Sequence, residues 1–279
     1  MRGNFPSTTP NHLEVINFNL ASMKIPINLS SENSDSIIHN VLEASENPMT
    51  GIAISLLIIS VWSISLGFLL IAEQVQQTSI IWKSMAIIVQ AFLYTGLFIT
   101  AHDAMHGAVF SKHPHINYCI GSLSLLLYGL FSYNQLQKKH FQHHHAPASE
   151  FDPDFHDGKH KNMVAWYIYF MQRYWSWWQF ASLVMTYYGM HLFLHIAYAN
   201  LILFWIIPAI ISSMQIFYFG TFIPHREPIG GYQNSSRTHS VYRPFLWSFL
   251  TCYHFGYHQE HHLQPDIPWW KLPSIISLR

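Results

Sequence analysis

Charge is scarce in this chain of 279 residues: Asp, Glu, Lys and Arg make up only 10% of it, against the roughly 25% of a soluble domain, and 14 bases cancel 14 acids. The shortage excludes an ordinary water-soluble globule. The zero net charge removes the electrostatic attraction on which nucleic-acid binding depends. Cysteine is nearly missing as well. Cys119 and Cys252 have no paired spacing, which argues against a disulfide framework or a thiolate metal site and is compatible with a reducing compartment. Both read as small packing residues. Also lacking are a Gly-rich nucleotide fingerprint, a haem segment, an iron–sulfur cysteine set and a Ser-His-Asp or Cys-His arrangement. No cleavable leader is expected in residues 1–50, which are rich in Asn, Ser and Thr.

What the chain has instead is oil and histidine. Half of its residues are hydrophobic and 16% are aromatic. Apolar runs near 20 residues are candidate spans, because a helix rises about 1.5 Å per residue and the hydrocarbon slab is about 30 Å thick. Four runs qualify: 51–72, 80–101, 175–198 and 201–222. The last two form a hairpin with almost no loop. The piece 244–253 is too short to cross, and 13–27 is expected to lie on a membrane surface.

Of the 14 basic residues, 11 lie from Lys112 onward and outside these spans, while the connections 73–79 and 199–200 hold none. The positive-inside rule then puts both termini and every histidine-rich segment on the cytoplasmic side. That count requires 116–133 to be interfacial or re-entrant. Were it a fifth span, the histidines at 102–106 and 140–145 would face opposite compartments.

Three boxes concentrate the histidines. "HDAMH" gives His102 and His106, "HFQHH" gives His140, His143 and His144, and "HQEHH" gives His258, His261 and His262. Side chains three and four apart share a helical face, so each box presents its imidazoles to one region. Eight nitrogens are too many for one ion, since zinc is satisfied by four, but they suit two ions with four or five ligands each. Carboxylates are too few for a Glu-x-x-His pair. Ferrous iron accepts imidazole, and an all-nitrogen iron pair leaves positions open for O₂.

Boxes of this form and order resemble the membrane fatty-acid desaturase and hydroxylase superfamily. The longer strings "HDAMHG" (102–107), "FDPDFH" (151–156), "FIPHRE" (222–227) and "YHFGYHQEHHLQPDIPWWKLP" (253–273) resemble, more narrowly, the CrtW-type β-carotene ketolases. The likeness covers about residues 50–279, giving an N-terminal tail (1–50) and a membrane di-iron oxygenase domain (51–279). It implies an all-α integral membrane protein with four transmembrane helices in two hairpins plus interfacial helices. It also implies a ninth metal ligand after the second hairpin, where His225 stands.

Around these ligands, Asp103, Asp154, His156 and His254 are candidates to orient imidazoles from outside. His254 is placed one turn before His258, and Glu260 either supports a ligand or faces water. His145 falls off its box's face. His191 and His195 are expected at the far end of a span, and His12, His39, His113, His115, His160 and His239 at the surface.

The resemblance implies two iron ions, O₂ as co-substrate, and oxidation of a β-ionone ring methylene to a ketone by two hydroxylations and loss of water. β-Carotene would give echinenone and then canthaxanthin, with hydroxylated carotenoids such as zeaxanthin as further substrates and astaxanthin as their product. The substrate would come from the bilayer lipid. Electrons must come from an external donor, expected to be ferredoxin-like. A carotenoid hydroxylase or fatty-acid desaturase with the same metal is the alternative. A metal transporter would place its ligands near mid-bilayer rather than beyond the span ends.

Overall fold

The computed structural model describes residues 47, 49–72, 77–111 and 113–278, so the segment 13–27, His12 and His39 lie outside the described residues. Among the described residues the secondary structure is entirely helical. The first hairpin pairs α1 (Thr50–Ile71) with α2 (Ile80–Met105). Ser79 starts α2, its side chain accepting the Trp82 N–H at 3.2 Å. With 26 residues, α2 is about 39 Å long, more than the roughly 30 Å of a hydrocarbon slab, and its C-terminal end carries the first histidine pair. His102 and His106 lie there.

α3 (Pro114–Gly129) runs back along α2, and α4 (Tyr133–His145) follows after a bend of 100°. Leu130 takes a left-handed conformation at the bend (φ 57°). Tyr128, near the tip of α3, meets Tyr94 and Phe98 with ring centroids 6.0 and 5.5 Å apart. From His106 to Tyr94 is about 18 Å of helix, well short of a membrane's thickness. α4 then returns, and Gln137 donates to the Met105 carbonyl at 3.1 Å. The chain thus leaves the histidine end at 106 and comes back to it at 140.

The amphipathic α5 (Met163–Tyr174) precedes α6 (Trp177–Leu194), each begun by a side-chain cap from Asn162 or Ser176. α7 (Tyr198–His225) is continuous over 28 residues but contains two π-helical stretches, Leu201–Ile206 and Tyr218–Phe222. Three short helices close the histidine end: α8 (Phe245–Cys252), α9 (His258–Leu263) and α10 (Leu272–Leu278).

Among the described residues three helices, α1, α2 and α7, are long and apolar enough to cross a membrane, and the bent pair α3–α4 would make a fourth only if it were one broken span. The span expected over 175–198 is helical only for the 18 residues of α6, where Gln179, Thr186 and His191 dilute its apolar character. The span expected at 201–222 is longer, because the turn at His195 (φ 54°) lets the helix restart at Tyr198.

Burial concentrates where α1, α2, α3 and α7 meet, around Tyr94, Leu97, Leu125 and Phe204. Lipid gives helices no hydrophobic reason to associate, and polar side chains supply part of what holds such bundles. Thr95 on α2 bonds Ser212 on α7 at 2.9 Å, and Ser65 on α1 donates to Gln90 at 2.8 Å. Buried Asn200 donates to the Leu70 and Ala72 carbonyls, both at 2.9 Å, capping α1 from α7. Asn200→Ala orphans both carbonyls and is expected to cost about 1–3 kcal/mol; an unchanged thermal midpoint in detergent would show that this tie is idle.

Candidate metal centre

Nine imidazoles converge in two groups, within each of which the candidate ligand atoms lie inside 4.8 Å of one another. One group is His102, His106, His140, His144 and His261; the other is His143, His225, His258 and His262. These are the nine residues singled out in the sequence.

The partition follows from helical geometry. At about 100° per residue, positions i and i+4 differ by about 40°, while i+3 falls about 60° to the other side. His140 and His144 therefore stay together and His143 crosses to the second group; His258 and His262 stay together and His261 crosses to the first. Each three-histidine box gives a pair to one group and a single ring to the other.

Several rings are held from behind. Asp152, whose side chain is fully buried, receives the His143 Nδ1–H at 2.9 Å and also the backbone N–H groups of Ala148 and Asp154, each at 2.8 Å. His225 donates from Nδ1 to the Arg237 carbonyl at 3.1 Å. The Asp103 carboxylate lies 3.2 Å from His102 Nδ1 and accepts the Trp269 N–H at 2.9 Å, which ties the C-terminal segment to α2. A carbonyl or carboxylate at Nδ1 fixes the proton there and leaves a lone pair on Nε2.

Within each of the two groups the Nε2 atoms crowd one another. His225 and His258 approach Nε2 to Nε2 at 2.9 Å, His143 and His262 at 3.2 Å, His106 and His140 at 2.6 Å, and His144 and His261 at 3.0 Å. His102 Nε2 is buried with no hydrogen-bond partner. Burial holds His258, His261 and His262 far below the ordinary imidazole pKa, so they are neutral near pH 7. Burial also pulls His143 down, but Asp152 and Asp154 outweigh it and push its pKa up to about 9. Neutral nitrogens crowded at these distances fit a cation in each group, whose binding would displace the Nε2 proton of His143 to solvent.

Some supporting residues differ from expectation. Asp154 is 3.8 Å from His143 Nδ1, and its carboxylate instead takes the Tyr174 hydroxyl, so the nearer partner is Asp152. The signal for Asp152 was the same "DPD" string: an Asp before Pro ready to accept backbone N–H groups. His156 sits apart from both groups, its ring against Phe155 and Trp166 and its Nδ1 accepting the Gly158 N–H at 3.0 Å. His254 is not one helical turn before His258. Tyr253 and His254 both have positive φ, the helix restarts at His258, and the His254 ring packs on Phe245, Phe249 and Trp269.

Glu260 is buried and accepts from Ser240 and Tyr242, which pins the segment 240–242 rather than a histidine. His145, His113, His115, His160 and His195 are exposed and His239 is half-buried. His191 stacks on Tyr198 at the far end of α6.

An apolar cavity reaches both groups. Phe98, Met105, Leu136, Phe170 and Phe255 line it, and His102, His140, His143 and His258 stand in its wall. The π-helical stretch before His225 brings Gly220 to this wall, where a Cβ would come within 2.6 Å of the Phe255 ring.

Comparison with known proteins agrees with this geometry. The fatty acid desaturase family model matches residues 80–190 and 169–276. A beta-carotene ketolase of Haematococcus lacustris is 37% identical over 280 residues, covering 90% of this chain and 87% of that protein. A beta-carotene 4-ketolase of Protosiphon botryoides is 44% identical over 67% of this chain, which spans about half (49%) of that relative's length. A beta-carotene ketolase of Paracoccus sp. (strain PC1) is 42% identical over 65% of this chain and 74% of its own. The chain belongs to the fatty acid desaturase family. Within it, these relatives are all named as carotenoid ketolases.

Removing the Asp152 carboxylate by Asp152→Asn is expected to weaken metal retention about 10–100-fold, the usual effect of losing an outer partner of a ligating histidine. Asp154→Asn should do less. Metal content after dialysis checks the order, and a larger loss in the Asp154 variant would reverse the assignment.

Proposed function

We propose that the chain is a di-iron carotenoid ketolase that oxidises the ring methylene next to the double bond of a β-ionone end group to a ketone. The observation that carries this reading is the pair of imidazole groups opening on one apolar cavity. The ketolase relatives decide the substrate class. His102, His106, His140, His144 and His261 would hold one iron, and His143, His225, His258 and His262 the other. With iron bound, the site would supply the activation of O₂ needed to break the allylic C–H bond of that methylene.

The residues of this chain do the rest. Asp152, Asp103 and the Arg237 carbonyl hold rings in the tautomer that offers Nε2 inward. Phe98, Met105, Leu136, Phe170 and Phe255 exclude water and give the hydrocarbon ring an apolar seat. Two hydroxylations of one carbon yield a geminal diol, which loses water to the ketone. Each hydroxylation consumes one O₂, two electrons and two protons and releases one water. A hydroxylase or desaturase would share the metal, but the ketolase relatives favour the ketone.

The membrane reading has α1, α2, α6 and α7 spanning and α3–α4 re-entrant, with the histidine end on the cytoplasmic side. It is supported by the distribution of basic residues and by the meeting of His106 with His140. Exposed Lys138, Lys159, Lys161 and Arg226 lie toward that end and suit an acidic, ferredoxin-like donor. Its rate of reduction should fall as salt screens the pair.

Expression in bacteria that accumulate β-carotene tests the function directly. Echinenone and canthaxanthin are expected, and zeaxanthin alone would turn the reading to hydroxylation. His143→Ala and His261→Ala each remove one ring from a different group and should abolish ketone formation. Full activity in either would strike that residue from the ligand set.

A further inference from the structure

A second cavity, far less compact than the first, separates α6 from its neighbours. Its volume is about 740 Å³, within the range of about 300–1,000 Å³ that small-molecule sites occupy. A gap of this size between helices has room for a hydrocarbon ligand. α6 has no buried residue at all. Phe180, Val184 and Tyr187 on one face of α6 look across the gap to Trp205 and Ala209 on α7 and Ile168 on α5. Where these rows would normally interlock they instead line a channel of mostly apolar and aromatic groups.

This channel adjoins the histidine cavity. Tyr128, Phe131, Met171 and Ser213 line both. The Ser213 hydroxyl meets Tyr167 at 2.6 Å, a bond from α7 to α5 beside the junction. From Gln179 to Tyr188 the α6 face runs roughly 14 Å, toward the end of α6 that is remote from the histidine groups. A ring seated among His102, His140, His143 and His258 would therefore direct any attached chain past Met171 and into the gap.

We infer that the groove between α5, α6 and α7 is the binding site of the conjugated polyene, and that substrate enters it sideways from the bilayer between α6 and α7. This deepens the ketolase reading and rests on it for the identity of the occupant. A rigid, extended hydrocarbon with one ring at the histidines matches the aromatic lining and the adjacency of the two cavities. The turn at Trp175–Ser176 and the left-handed His195 end α6 on both sides and let it stand off as one wall.

Two measurements on full-length, iron-loaded protein in lipid nanodiscs test the assignment. In the first, Ala209→Trp fills the groove away from the histidines. Turnover of β-carotene should fall about tenfold or more, while iron content and turnover of a truncated apocarotenoid, whose chain ends before Ala209, stay within about twofold. Ile64→Trp, on the exposed face of α1, should change neither. Undiminished β-carotene turnover in Ala209→Trp with iron retained would overturn the groove.

The second measurement does not depend on catalysis. Val184→Cys in a Cys119→Ser background is labelled with an apolar maleimide, with and without β-carotene in the bilayer. Severalfold protection supports the groove and equal labelling overturns it, even if Ala209→Trp fails to fold. Should the wild type make no ketone, the ketolase reading fails while the protection result still decides the groove.

Discussion

The structure turns on lone pairs aimed inward. A neutral imidazole has one N–H and one acceptor, and whichever group binds Nδ1 decides which nitrogen faces the centre. Asp152 and the Arg237 carbonyl make that decision for His143 and His225, and Asp103 stands at the same position behind His102. Acceptors converging at about 3 Å in a buried space repel unless something positive sits between them. Protons are poor candidates, because burial disfavours the charged form of most of these rings. The helices at this end are thus organised around a charge that the protein does not itself carry.

That requirement explains the detour of α3 and α4. The first group needs His102 and His106 from one strand of the chain and His140 and His144 from another. Had 114–145 crossed the bilayer, those pairs would lie a membrane apart. The chain descends to the level of Tyr94, turns at Leu130 and climbs back. Gly121 makes the return possible, since a Cβ there would collide with the Tyr133 ring. α3 and α4 therefore need a helix bend of 100° and a glycine contact rather than a loop.

Much of the site was legible in the sequence, because histidines three and four apart on a helix must share a face whatever the tertiary fold. His225 was not reachable that way; it has no periodic neighbour and came only from resemblance. Spacing sets His143 apart from His140 and His144, and His261 apart from His258 and His262, but which group each single ring joins depends on how α2, α4 and α9 are rotated against one another. Asp152 and Asp154 sit two residues apart in one loop, and only the turn that buries Asp152 decides which one reaches His143. His254 was misplaced because spacing assumes an unbroken helix, and nothing in "TCYHFGYH" announces two left-handed residues in succession. The long apolar runs were found readily, yet α6 proved less apolar than its neighbours, since its tyrosines and Gln179 face a cavity rather than lipid alone.

The loose seating of α6 would be untenable in water, where a helix without a buried residue has little to stabilise it beyond its own backbone bonds. In a bilayer the comparison changes. Lipid tails are as apolar as leucine, so a helix gains little by packing closely and loses little by standing apart, while its backbone groups remain satisfied within the helix. A groove beside such a helix costs little to keep open, because a lipid chain can occupy it as readily as a neighbouring side chain. A polyene entering it exchanges one hydrocarbon contact for another, so specificity must come from elsewhere. Two features can provide it: the side chains of Tyr128, Phe131, Met171 and Ser213 where the groove adjoins the histidine cavity, and the fixed distance from there to the histidines, which decides the ring carbon that is presented.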